Sequence, residues 1–290
     1  MTLADEKFGK AAEVGPGFWI IATRHRPGLS QKMFEINNRC LVFKLPEAGR
    51  QVLVVANAVD PTQAISEVRR LERETGAPVR YILSVGGGHH LHAGAWADEI
   101  KDAKILLPPV RVPRTRNGRK LIERPNVALM NLENPLPQFK GQLNAVVFHG
   151  LFGFQDHLSV AEGGKDGPLG MLKFMFEMMR GLKDPTDELW LHHAATGTVI
   201  GGENLGWYYT AAEYKKLPFM GRQMVKPDTV MIMSKPRPVA DASVVSACWK
   251  QILAWPMTAL MTYHDPPGCA ATTEPRATLE KAVRAARQLA

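Results

Sequence analysis

Six of the chain's nine histidines sit where an imidazole can do chemistry: His89, His90, His92, His149, His157 and His264. Histidine supplies a neutral nitrogen ligand for metals and titrates near neutrality. His89 and His92 are three residues apart and follow Gly86-Gly87-Gly88. That spacing can put two imidazoles on one ion at a strand-to-helix turn. The glycines let backbone come close to a ligand or adopt positive φ. His149 ends the apolar run 145–148, His264 ends the run 257–263, and Glu203 follows Gly201-Gly202 at the end of a third. A side chain at a strand end stands on a loop held by a rigid sheet, where sites are usually built. His89, His92 and His264 are therefore expected to ligate a divalent metal, with strand ends carrying His149 and Glu203 converging on the same sheet edge. Any one of these histidines alone would read as a hydrogen-bonded structural residue; the clustering favours a site. His192-His193 reads as part of a hairpin, and His157 beside Asp156 as a loop residue.

The elements that must position these groups are legible in outline. Runs at 18–22, 40–43 and 52–55 read as strands, the last two forming a hairpin across Pro46-Glu47-Ala48-Gly49. A helix follows, with Asp60 as N-cap, Pro61 at its first position, Gln63 closing a capping box and Gly76 ending it. The strand 79–84 leads into the glycine–histidine turn. A second hairpin is expected from 189–191 and 197–200. Val244, Val245, Cys248, Trp249 and Ile252 share one helical face, and a last helix starts near Pro275 with Leu279, Ala282, Val283 and Ala286 facing inward. The pattern implies an α/β protein of two sheets with helices on their outer faces, over one domain spanning 1–290. A helical, Met/Phe-rich insertion is expected at about 150–186.

Composition narrows the class. Of 290 residues, 45% are hydrophobic and 22% charged, which excludes wholesale disorder. The net charge of +8 is diffuse; its densest stretch, Arg111 to Lys120, lacks interleaved aromatics and reads as a solvated loop, so no nucleic-acid partner is expected. Three scattered cysteines, Cys40, Cys248 and Cys269, argue against a disulfide framework. The N-terminus lacks the apolar run of a signal peptide, and no charge-free apolar stretch of about 18 residues is present, so a cytoplasmic protein without a membrane span is expected.

The pattern resembles the metallo-β-lactamase superfamily. There a strand after a hairpin and one helix ends in Thr or Ser and runs into His-x-His-x-Asp-His-x-Gly. Here Gly87-Gly88-His89-His90-Leu91-His92-Ala93-Gly94 falls in that register, His89 on the second His, His92 on the last and Gly94 on the glycine. Gly87 replaces the first His and Leu91 the Asp; some atypical branches carry His-His-Leu here. Thr198-Val199-Ile200-Gly201-Gly202-Glu203-Asn204-Leu205 is similar to the family's Gly-Asp strand, with Glu203 on the bridging Asp. His264 falls on the final His, and His149 matches best the His before the Gly-Asp strand. The resemblance, from about residue 18 to 290, implies a four-layer αββα sandwich.

It also implies a metal-dependent hydrolase. His89, His92, His149, Glu203 and His264 would be the ligands, Glu203 and His149 serving catalysis as well. Zinc rather than iron and one ion rather than two are expected, since two of the usual seven ligands are replaced. The substrate expected is a small apolar or aromatic ester or lactone, with Phe152, Phe154, Met175 and Trp207 as its apolar contacts. The same Met/Phe surface would alternatively serve as a core helix or a homodimer interface. Two rival readings keep the fold: a non-haem iron redox enzyme, and a non-catalytic binding protein that has lost its metal.

Overall fold

The computed structural model describes residues 5–25, 36–86, 89–153, 184–202, 208–217, 222, 226–230, 232 and 239–288. Strands β1 (Ala11–Gly15), β2 (Phe18–His25), β3 (Ile36–Glu47) and β4 (Arg50–Ala56) form an antiparallel meander. Three parallel strands extend it: β5 (Val79–Leu83), β6 (Lys104–Leu107) and β7 (Val127–Leu129). The second, four-stranded sheet has the order β11-β10-β9-β8, from β8 (Leu143–Gly153), β9 (Asp184–His193), β10 (Thr198–Gly201) and β11 (Ala259–Thr262).

Period-2 alternation decides which sheet face meets what. In β3, Leu41 and Phe43 point between the sheets, where they meet Leu189, Leu191, Ile200 and Met261 of the second sheet. Cys40 and Val42 point the other way, toward Ala64, Val68 and Leu71 of helix α1 (Pro61–Thr75) and Trp96 of α2 (Ala93–Glu99). On the far side, Phe148, Trp190 and Val199 pack against Val245, Trp249 and Ile252 of a later helix and Leu279 and Val283 of the last. The layers are therefore helix, sheet, sheet, helix, as expected. Each fully buried Phe or Leu of these clusters contributes about 1.5–3 kcal/mol.

Local signals placed the first helix well. Asp60 caps α1 by accepting from Thr62 N, and Gly76 ends it at φ 64°. The capping box does not form. Gln63 instead pairs with the backbone of Arg24, donating to its carbonyl and accepting from its N–H, both at 2.9 Å, which ties α1 to β2. The basic stretch is not a loop. Val112–Arg114 forms a 3-10 turn and Arg116–Ile122 forms α3, capped by Thr115, because Val112 and Leu121 bury against the first sheet's outer face. Further helices among the described residues are α4 (Ala211–Lys216), α5 (Ala242–Ala254) and α6 (Pro275–Ala285). Most of the expected Met/Phe insertion lies outside the described residues; its flanks are strand, β8 to Gly153 and β9 from Asp184. All three cysteines are buried and unpaired. Among the described residues no helix is long and apolar enough to cross a membrane.

The hairpin end of the second sheet has a pH consequence. His193 is 3% exposed, lies against Phe18 and Phe43, and meets Thr196 Oγ1 at 2.9 Å. Burial, with His192 adjacent, pushes its pKa down from 6.5 to about 4. The folded state then holds the ring neutral while the unfolded chain protonates it first. Its contribution is fully present above pH 6.5 and is lost as pH falls toward 4. Urea unfolding should show the wild type losing on the order of 1–2 kcal/mol more than His193→Gln between pH 7.5 and 5. Equal losses in the two proteins would remove His193 as the cause.

Candidate functional site

The two sheets meet at the C-terminal ends of β4, β5, β10 and β11. Gly86, just past β5, bridges Glu188 of β9 with φ 106°, and a Cβ there would stand 2.4 Å from Asp187 O. At Gly202, just past β10, a Cβ would stand 2.2 Å from Glu188 Oε2. Only glycine lets both turns close on β9, with the buried Glu188 beside them.

From the first turn, His89 donates its backbone N–H to Gly86 O at 2.8 Å. Its Nδ1 meets Asn57 Oδ1 at 2.7 Å. Asn57 follows β4 in the left-handed region, φ 60°, which asparagine tolerates better than most residues. Its Nδ2 donates to Arg39 O at 2.9 Å, so its Oδ1 is the acceptor. His264 stands in a tight turn after β11. Asp265 accepts from Thr262 N and Thr262 Oγ1, both at 2.7 Å, and His264 N donates to Thr262 Oγ1 at 3.1 Å. The His264 Nδ1 faces Asn37 O at 2.8 Å.

These partners fix the tautomers. Both Nδ1 atoms face oxygens that only accept, so in its neutral form each ring carries its proton there and its lone pair on Nε2. The two Nε2 atoms are 3.2 Å apart. Two lone pairs at that separation repel, and either a shared proton or a cation between them removes the repulsion. Two nitrogens bound tetrahedrally at 2.0–2.1 Å would lie about 3.3 Å apart. An oxygen on the second ring nitrogen is also the usual support of a metal-bound histidine. The pair fits a zinc ion in both respects.

The other expected site residues are placed differently. His92 is the N-cap residue of α2, half-buried; burial lowers its pKa, and nearby Asp60 opposes that. His149 lies at the edge of the second sheet, its Nδ1 2.9 Å from Val147 O and 3.9 Å from Cys248 Sγ. The Cys248 contact leads in raising its pKa. Phe152 is half-buried on β8. Glu203, Phe154, Met175 and Trp207 lie outside the described residues. Among the described residues no group of three or more His, Cys, Asp or Glu side chains is set to hold a metal ion. The structure thus brings His89 and His264 together and does not add His92 or His149 to them as a third ligand.

Three features escaped the sequence reading. Asn57 and the Asn37 carbonyl orient the imidazoles, and neither residue type announces that role. Glu188 is buried at the strand junction, where alternation within an apolar strand could have flagged it. Asp187, next to it, accepts from Val110 N at 2.6 Å and Arg111 N at 3.1 Å, which anchors the basic segment. Burial pushes the Asp187 carboxyl pKa upward.

No protein-family model matches the chain, and no curated protein matches it in sequence. Solved structures do match it in shape. A metallo-β-lactamase from Erythrobacter litoralis in its mono-zinc form is 12% identical, with a TM-score of 0.52 over 98% of this chain and 99% of that one. A metallo-β-lactamase from Hirschia baltica is 11% identical, with a TM-score of 0.50 over 96% and 97%. A β-lactamase domain protein from Burkholderia ambifaria is 14% identical, with a TM-score of 0.51 over 97% of this chain and 78% of that one.

Proposed function

On a chain with the metallo-β-lactamase fold, we propose that the His89–His264 pair is the centre of a zinc-dependent hydrolase. The observation that carries this reading is the 3.2 Å Nε2–Nε2 approach of two rings whose Nδ1 protons are already committed to oxygen acceptors. Glu203, next in sequence to Gly202, is proposed as the carboxylate of the set, and His92 as a further nitrogen at its rim. A bound zinc ion would supply a water of pKa about 7 and polarise a substrate oxygen. The chain's own groups orient that chemistry. Asn57 and the Asn37 carbonyl hold the rings and their tautomers, and Gly86 and Gly202 let the turns close on β9. Phe152 is proposed to contact a small apolar or aromatic ester or lactone, together with Phe154, Met175 and Trp207.

Purified protein stripped with a chelator and titrated with zinc should take up one ion per chain. Hydrolysis of an aryl-ester and lactone panel should vanish on stripping and return with zinc. Failure to bind zinc above background would sink the reading in favour of a proton shared by the two imidazoles and a non-catalytic role, which the lack of a third ligand among the described residues favours. Uptake of iron with a visible absorption band would point instead to redox chemistry.

A further inference from the structure

We propose that the N-terminal segment clamps the candidate site, with Glu6 acting through Arg39 as a positioning residue for His264. The proposal rests on the reading of the His89–His264 pair as a zinc site. Arg39 lies in β3 and is fully buried. Its Nε and Nη2 donate to the two carboxylate oxygens of Glu6, both at 2.9 Å. Nη2 also donates to Pro266 O at 3.0 Å and Cys269 O at 2.9 Å. Nη1 reaches Asp265 Oδ2 at 3.4 Å and Thr262 O at 3.5 Å. Glu6 in turn accepts from Gly268 N at 2.9 Å. Every one of these loop contacts falls on 262–269, the segment that carries His264.

The same residue governs the other ring. Arg39 O holds Asn57, which holds His89, and Arg39 N donates to Tyr263 O at 2.8 Å. Both imidazoles are thus referenced to positions 37–39 of one strand. Glu6 makes the two-pronged contact that keeps the guanidinium in that place, although it comes from outside the sheets, ahead of β1.

The clamp therefore sets the position of His264.

The test is the zinc dissociation constant of Glu6→Gln, measured by competition with a chromophoric chelator. A rise of about 10–100-fold is expected, the range for residues that orient metal ligands, together with a changed cobalt(II) absorption spectrum. The control is Glu67→Gln. Glu67 accepts from Ala11 N and pairs with Lys10, so it holds the same end of the chain without touching the His264 loop. Its zinc constant should stay within about twofold of wild type. Unchanged affinity in Glu6→Gln, or equal weakening in Glu67→Gln, overturns the clamp while leaving the zinc site standing. Wild-type affinity no better than that of His264→Ala removes the zinc site, and the clamp with it. Should Glu6→Gln not fold, hydrogen exchange on the wild type decides. Zinc should protect amides of 5–9 together with those of 262–269, and exchange at 5–9 that ignores zinc refutes the proposal.

Discussion

Alanine at His264, or at His89, should abolish stoichiometric zinc binding, weakening it by well over the roughly 100-fold reached by residues that only orient ligands. Any hydrolysis the wild type shows should fall to the level of zinc-free protein. The two variants separate metal binding from structural support. Without zinc, each loses the hydrogen bond from Nδ1, about 1 kcal/mol, and also the repulsion between facing nitrogens. With zinc at about 100 times its dissociation constant, the wild type should gain about 2.7 kcal/mol. For a chain of this size that is a rise in Tm of about 5–10 °C. Neither variant should gain it. Wild-type zinc stoichiometry in both would end the assignment, because no other pair of imidazoles among the described residues has its Nε2 atoms so placed.

Arg39→Met should be the most damaging single change to the fold itself. It leaves the Glu6 and Asp265 carboxylates buried without their guanidinium, and breaking a buried pair in this way costs about 3–5 kcal/mol. Melting should fall by about 10 °C. The sign of the pH dependence distinguishes this cause from lost packing. Burial already holds the Asp265 carboxyl pKa above the usual range, and Arg39 is the first of the influences pulling it down. Removing Arg39 raises it further. A carboxyl whose folded pKa lies above its unfolded value favours the fold at low pH and loses that contribution as pH rises. The variant should therefore sit closer to wild type at pH 5 than at pH 8. Melts at the two pH values check this, and a deficit independent of pH would assign the loss to packing instead.

The contrast between these two predictions shows how much was legible beforehand. The histidines were visible because imidazoles at strand ends are conspicuous, and the turn at Gly86 to His89 was marked by its glycines. Arg39 was readable only as an odd charge between Asn38 and the apolar Cys40-Leu41-Val42. Its partners are 33 and 226 residues away, beyond any local pattern. The expected capping role of Gln63 failed for a related reason. A side chain suited to a local hydrogen bond found a better-placed backbone in β2, where it could donate and accept at once.

From its residues alone, this chain determined the layered architecture, the first helix with its cap and stop, and the two loops that bear His89 and His264. Those depend on hydrophobic period and turn chemistry, which are written between near neighbours. Tertiary structure alone decided that the two rings meet through Nε2, with Nδ1 turned to oxygen. Such outcomes depend on how segments 175 and 227 residues apart are brought together.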